Sequence, residues 1–484
     1  MTESLPAAGG TSDPTSTSDA LRSAVEAAFP ATIADLTRLV KIPSVSWAAF
    51  DDAHVEASAE AVAELVRGLG VFDLVEIRRA AIGEGEGEGE GEDAPLGKPA
   101  VVARRAARNG RPTVLLYAHH DVQPPGEDSD WESAPFEPTL RGDRLYGRGA
   151  ADDKAGVMAH IGAIRALTEV LGADFDLGIA LFIEGEEESG SLSFANFLHE
   201  NRELLEADAI VVADSGNWDL ETPALTVALR GAVAFRMRVS TLGHASHSGM
   251  FGGAVPDAML AAIQLLATLH DADGSVAVDG LTSADLETPA YDEAKLRAET
   301  GLLDGVTPIG RGEILSRIWA QPAITVTGID APTVANASNT LVPSVAVRVS
   351  ARVAPGQRDV DALAAIRSHL EAHVPFGAKL EFDAVELGNP FLVDTSGWAV
   401  AESNAAMAEA WGKEPVEIGV GGSIPFIAEL VAEFPAAQIL VTGVEDPDSR
   451  AHSPNESLHL GVFQRALLSE ALFLARLDAR SEDS

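Results

Sequence analysis

The sequence predicts an α/β protein: a mixed sheet covered by helices, with a second, smaller domain inserted into it. Three observations carry this. Short runs rich in Val, Ile and Leu at Thr113–Tyr117, Ile179–Ile183, Ala209–Ala213 and Gln438–Val441 are each bounded by polar residues, as strands buried on both faces are. Helical stretches such as Gly156–Val170 lie between some of them, an alternation that favours a sheet packed between helices. In the middle of the chain the period changes to two. Phe235, Met237 and Val239 alternate with Arg236 and Arg238, and Val345, Val347, Val349, Ala351 and Val353 alternate with Arg348, Ser350 and Arg352. That pattern belongs to a sheet with one wet face.

In chain order, residues 1–17 are small and polar and are expected to form a disordered tail. Val62, Leu65, Val66 and Leu69 repeat at helical spacing. Gly83–Glu92 alternates Gly and Glu, cannot bury apolar surface, and is expected to be a flexible exposed loop. From Ala232 to Glu386 the order is strand, helix (Pro256–His270), strand (Ala323–Ile329), strand, helix (Val360–His373), strand (Lys379–Val385). This is the β-α-β-β-α-β order of a ferredoxin-like domain, with Asp271–Gln321 as an elaboration. The expected division is a main domain of 18–229 and 389–484 and an inserted domain of 230–388.

The 484 residues suit two or three domains, and 46% hydrophobic content is ample for their cores. Lys+Arg 34 against Asp+Glu 74 gives a net charge of −40, a field that repels nucleic acid and anionic membrane. The absence of cysteine excludes disulfides, thiolate nucleophiles and Cys-based zinc sites, so any metal must sit on His, Asp and Glu. The start lacks the basic and apolar segments of a signal peptide, and no apolar run approaches the ~20 residues of a membrane span. The expectation is a cytoplasmic protein.

Ligand-type residues follow each core strand. His119, His120 and Asp121 follow the first; Glu184, Glu186, Glu187 and Glu188 the second; Asp214 the third; and a loop leads from the fourth to His452. Open α/β sheets place their sites beyond the carboxyl ends of strands. Singly, each residue has a structural explanation: a charged loop for Glu184–Glu188, a helix start for Asp152 and Asp153. Together they suggest a metal site of His and carboxylate, suited to Zn, Mn or Co. Two ions would need a bridging carboxylate, and an unligated Glu beside them could act as a general base.

The chain resembles the M20 metallopeptidases, most closely their dipeptidase (carnosinase-like) branch. The resemblance rests on Tyr117–Pro124 (YAHHDVQP), Trp131–Phe136 (WESAPF), Leu145–Gly156 (LYGRGAADDKAG), Glu184–Ser191 (EGEEESGS), His247–Gly253 (HSGMFGG), Ser423–Pro425 (SIP) and His452–Glu456 (HSPNE), in the family's order. It implies two divalent ions, zinc foremost, with His119, Asp152, Glu188, Asp214 and His452 as ligands. Asp152 would bridge, with a cis peptide bond after it. Asp121 would orient His119, and Glu187 would be the general base. On the inserted domain, a lid or dimerisation unit in this family, His247 is similar to the residue that hydrogen-bonds the oxyanion, arriving by domain closure or from a partner subunit, with His244 as a competing candidate. Arg352 resembles the arginine that holds the substrate's C-terminal carboxylate, and Thr340 and Ser423 resemble further substrate contacts. The implied activity is hydrolysis of dipeptides or very short peptides by a homodimer. An N-acyl-amino-acid amidohydrolase and a non-catalytic binding protein on the same scaffold are the competing readings. Three features depart from the family pattern: Ala118 before the first His, His120 where Tyr or Leu is common, and Gly419-Val420 where a charged Arg-Glu pair is frequent.

Overall fold

The computed structural model describes residues 14–83, 94–421 and 425–480. The first helix, Pro14–Val40, begins inside the stretch expected to be a tail, so residues 14–17 are helical. Pro14 is suited to the opening position, where the backbone N–H has no intrahelical partner anyway. The rest of the expected tail, most of the Gly/Glu loop and Ser423 lie outside the described residues. Among the described residues no helix is long and apolar enough to cross a membrane.

The chain divides into two compact units. One comprises residues 1–225, 394–416 and 429–484, the other residues 226–393 and 417–428. The first unit is built on a mixed sheet, in the order Leu74–Arg78, Ala100–Arg105, Gly178–Glu184, Thr113–His119, Ala209–Val212, Gln438–Val441. The first three of these pair antiparallel, and the last four run parallel. Every residue of Thr113–His119 and Gly178–Glu184 is buried, which is why these strands read as unbroken apolar runs. Both run further than the apolar run itself, so His119 and Glu184 are the last residues of their strands. Because the four strands are parallel, their carboxyl ends lie along one edge.

Helix Lys154–Leu171 packs on the Thr113–His119 strand, between helices Pro14–Val40 and Leu460–Ala479. Helix Ala53–Arg67 covers the Leu74–Arg78 and Ala100–Arg105 strands. Phe182 stacks on Phe197 at 4.7 Å and meets the edge of Tyr117 at 5.4 Å, tying the central strand to helix Phe194–Glu200. A separate small sheet pairs Ser457–His459 with Arg144–Tyr146 and the latter with Thr139–Arg141.

The second unit contains a four-stranded antiparallel sheet in the order Ala323–Asp330, Ser344–Val353, Gly231–Ser240, Lys379–Gly388. Helices Ala258–Leu266 and Asp359–Ala372 supply Ala258, Ala261, Leu265, Ala362, Ile366 and Leu370 to its core. The alternate residues Val233, Phe235, Met237, Val239, Val345, Val347 and Val349 point into that core, and Arg236 and Arg238 point away from it.

Phe182 is the hub of the first unit's aromatic cluster. Phe182→Ala removes its ring from a close-packed site and is expected to cost about 3–5 kcal/mol of stability. Denaturant unfolding checks this, and an unchanged midpoint contradicts the packing described.

Candidate metal centre

Four strand ends and two loops build the site. His119 ends its strand. Glu187 and Glu188 lie on a 3-10 turn, Glu187–Ser189, just past the Gly178–Glu184 strand. On a continuing strand these neighbours would face opposite ways; the turn frees them from that alternation. Asp214 follows Ala209–Val212, and His452 lies in the loop after Gln438–Val441, with a positive φ of 60°. Asp152 precedes helix Lys154–Leu171, and the Asp152–Asp153 peptide bond is cis.

The structure gathers these residues into two donor triads that share one member. His119, Asp152 and Asp214 form one, and Asp152, Glu188 and His452 the other; within each, the donor atoms lie within 4.8 Å of one another. Asp152 serves both: its Oδ1 is 3.2 Å from His119 Nε2, and its Oδ2 is 2.9 Å from His452 Nε2. His452 Nε2 is also 3.3 Å from Glu188 Oε2, and His119 Nε2 is 3.9 Å from Asp214 Oδ1.

These residues fit a pair of divalent ions on two grounds. His119 Nε2 is buried and has no hydrogen-bond partner, an orphan a metal would satisfy. Two donors on one tetrahedral zinc at bond lengths of about 2.0–2.2 Å stand roughly 3.3–3.6 Å apart, within the observed range of 2.9 to 3.9 Å.

The electrostatics agree. Burial, then repulsion from Asp152 and other acids, pushes Asp214 up to about 6 despite His119. Glu187 belongs to neither triad, and burial with repulsion from Asp214, Asp121 and Asp152 pushes it up to about 8. Burial opposes charge on His119, but Asp121 and Asp152 outweigh it and raise its pKa well above the usual value. Carboxylates crowded this way favour nearby cations.

Asp121 does more than face the imidazole. Its Oδ1 is 3.4 Å from His119 Nδ1, and its two oxygens accept the backbone N–H of Glu187 at 3.2 Å and of Glu188 at 3.0 Å. One carboxylate thus fixes a histidine and the turn that carries both glutamates.

The other acids of the cluster have different work. Glu184 accepts the Tyr117 hydroxyl at 2.5 Å. Glu186 accepts the N–H of Lys98 at 2.9 Å and of Ser193 at 2.7 Å. His120 turns away from the triads: its Nε2 donates to the Pro99 carbonyl at 2.9 Å, and burial pushes it down to about 4, so it stays neutral. Asp153 caps the helix, accepting from Gly156 N–H at 3.2 Å, and also accepts His119 N–H at 3.2 Å. Gly156 is required there, because a Cβ would fall 2.1 Å from Asp153 Oδ1 and 2.5 Å from the Ala213 carbonyl.

Sequence reasoning missed the residues that hold the two triads in place. Gln123 donates to both Glu188 carboxylate oxygens, from N–H at 3.1 Å and Nε2 at 2.6 Å. Glu456 is buried and accepts from Arg148 Nη1 at 2.6 Å and from the N–H groups of Gly149, Ala151 and Asp152 at 3.0, 2.9 and 3.1 Å. Lys154 is fully buried and donates to the Leu39 and Ile42 carbonyls at 2.9 and 2.7 Å, with burial pushing it down to about 7. The available signal was their position inside the quoted motifs, beside residues of assigned chemistry.

In the second unit, a two-residue ladder pairs His247 with Thr340. His247 Nδ1 accepts Gly249 N–H at 3.0 Å, so the ring hydrogen of the neutral form is on Nε2, free to donate. His244 is the reverse: Nδ1 donates to the Ala245 carbonyl at 2.9 Å, leaving Nε2 an acceptor in the neutral form. Arg352 lies in the Ser344–Val353 strand, opposite Ala232. The Gly419 departure has a steric cause, since a Cβ there would fall 2.6 Å from Trp319 Cβ on helix Ile314–Trp319.

Glu456→Gln leaves Arg148 buried without its carboxylate and loosens the loop before Asp152. The expected result is a loss of about 3–5 kcal/mol, with lower metal occupancy. Unfolding and elemental analysis measure both, and a variant matching the parent in both contradicts this role.

Known proteins resemble this chain over most of its length. The model of Peptidase family M20/M25/M40 matches residues 115–476. Cysteinylglycine-S-conjugate dipeptidase of Corynebacterium striatum is 36% identical over 75% of this chain and 80% of its own. Beta-Ala-His dipeptidase of Rattus norvegicus is 26% identical over 78% of this chain and 79% of its own. The solved structure of the dipeptidase Dug1p from Saccharomyces cerevisiae superimposes with a TM-score of 0.77 at 22% identity, covering 96% of this chain and 99% of that one. With the family model spanning most of the chain, and with the motif residues meeting as two triads around Asp152, the chain belongs to Peptidase family M20/M25/M40.

Proposed function

We propose that this protein is a metal-dependent dipeptidase that hydrolyses the peptide bond of dipeptides or very short peptides. The observation that carries the reading is the sharing of Asp152 between two donor triads, with the free carboxylate of Glu187 beside them. His119, Asp152 and Asp214 would hold one ion, and Asp152, Glu188 and His452 the other. Bound there, two divalent ions supply Lewis acidity toward the scissile carbonyl and lower the pKa of a water. Glu187 takes the proton of the attacking water and delivers it to the leaving amine nitrogen. Asp121 keeps the His119 imidazole oriented and the Glu187–Glu188 turn fixed.

Zinc leads as the ion, with Mn and Co as alternatives, since the donors are imidazole and carboxylate without sulfur. His247 is the donor to the developing oxyanion, a reading supported by its Nε2–H form. Thr340 pairs with it, and Arg352 and Ser423 are read as further substrate contacts. The named activities of the relatives, on cysteinylglycine S-conjugates and on β-Ala-His, make these two dipeptides the first substrates to assay. A homodimer through the second unit is supported by the exposed edge strand Ala323–Asp330, with Val326 and Ile329 open to solvent.

Glu187→Ala is expected to lower kcat by ~10²–10⁴-fold or more while both ions remain bound by elemental analysis. Turnover at the parent rate overturns the assignment. A panel of dipeptides beside N-acetyl and N-succinyl amino acids tests the activity class, with turnover confined to the acyl amino acids as the contrary result. Chelation is expected to abolish turnover and lower the melting temperature, because ions that bind only the folded chain stabilise it. Full activity after exhaustive chelation contradicts a metal-dependent mechanism.

A further inference from the structure

The second unit holds a buried charge that the reading above does not use. Arg230, at the junction of strands Ala224–Leu229 and Gly231–Ser240, is 8% exposed. Its guanidinium donates only to carbonyls: Nε to Gly421 at 3.3 Å, and Nη1 to Arg317 at 3.4 Å and Gln321 at 3.2 Å. Among the described residues no carboxylate pairs with it. Burial and then the charge of Arg352 push it down to about 10, and no acid offsets them. A buried charge is normally paired, and in a chain with 74 acidic residues a partner is easily supplied.

Arg352 is the nearby cation. It lies opposite Ala232 on one side and Ala323 on the other, at the end of the sheet where Arg230 enters. It too has no acidic partner among the described residues. Of the other three arginines on that strand pair, Arg236 is bound by Asp383 and Arg348 by Glu386, and Arg238 stands opposite Glu381 in the ladder. Two guanidiniums without acidic partners at one end of a sheet would attract an anion. Arg230 also lines a cavity of about 540 Å³, with Ile318, Gln321 and Ile324, so its guanidinium borders open space. The carbonyls engage Nε and Nη1 and leave Nη2 to a ligand.

We propose that Arg230 is a second substrate-binding arginine, which together with Arg352 grips the free C-terminal carboxylate of the dipeptide. A carboxylate has two oxygens and about four lone-pair sites, enough for two guanidinium forks. The proposal rests on the dipeptidase reading and on Arg352 as a carboxylate contact. The carbonyls of Arg317 and Gln321 make the Asp271–Gln321 elaboration the support of this arm.

The test compares alanylglycine with alanylglycinamide, in which the carboxylate is amidated, on the full-length metal-loaded protein. The parent enzyme is expected to prefer the acid. Arg230→Met is expected to reduce the acid-to-amide ratio of kcat/KM by about 10- to 100-fold, mainly through KM for the acid. Arg230→Lys, which keeps the charge and loses the fork, is expected to fall between the two. It carries the test if Arg230→Met does not fold. A ratio unchanged in the folded variants means that Arg230 only ties the elaboration down, which overturns the proposal and leaves the dipeptidase reading intact. Turnover by the parent protein of neither peptide, nor of any other dipeptide in the panel above, overturns both.

Discussion

Asp121, Asp152, Glu187, Glu188 and Asp214 are gathered, largely out of water, around two imidazoles. Burial alone makes each charge expensive, and each raises the cost of the next. Hydrogen bonds relieve part of this: Asp121 takes two amides, and Glu188 takes two donors from Gln123. Asp152 is held low by His119 and His452 against the effect of burial. Among the described residues the rest of the excess charge has no cationic partner beyond the two imidazoles. Two divalent cations shared across Asp152 would supply that partner, and the fold around the site holds the two donor triads in place.

That holding is done from several directions. Parallel strands bring His119, the Glu187–Glu188 turn and Asp214 to one edge of the sheet. The small sheet of Ser457–His459 and Arg144–Tyr146 brings Glu456 under the loop that ends at Asp152. Gly156 lets the helix approach the Ala213 carbonyl, and Lys154 fastens the same helix start to the end of the first helix. Placement of a metal ligand to a few tenths of an ångström depends on such supports.

Much of the fold was legible because burial leaves a plain pattern. Ile439–Val441 is an unbroken apolar run, and the strand has the expected limits Gln438–Val441; Ser344–Val353 alternates and has one wet face. The start of the first helix was not legible, since Pro14-Thr-Ser-Thr-Ser resembles the polar residues before it. In the site, the motifs named the residues that meet, but composition could not sort Glu184, Glu186, Glu187 and Glu188 by task. An acid that caps amides and one that faces a cation look alike in sequence. Nor could the sequence show that Trp319 occupies the space beside Gly419, or that His247 and Thr340 are partners in a ladder, because those contacts join distant segments.

One carboxylate, Asp152, would join two cation sites. A crystal structure of the zinc-loaded protein with anomalous scattering measures it directly. Two peaks about 3.5–4 Å apart are expected, with one oxygen of Asp152 on each, His119 and Asp214 on the first, and His452 and Glu188 on the second. A single ion, or two ions that do not share Asp152, would contradict it.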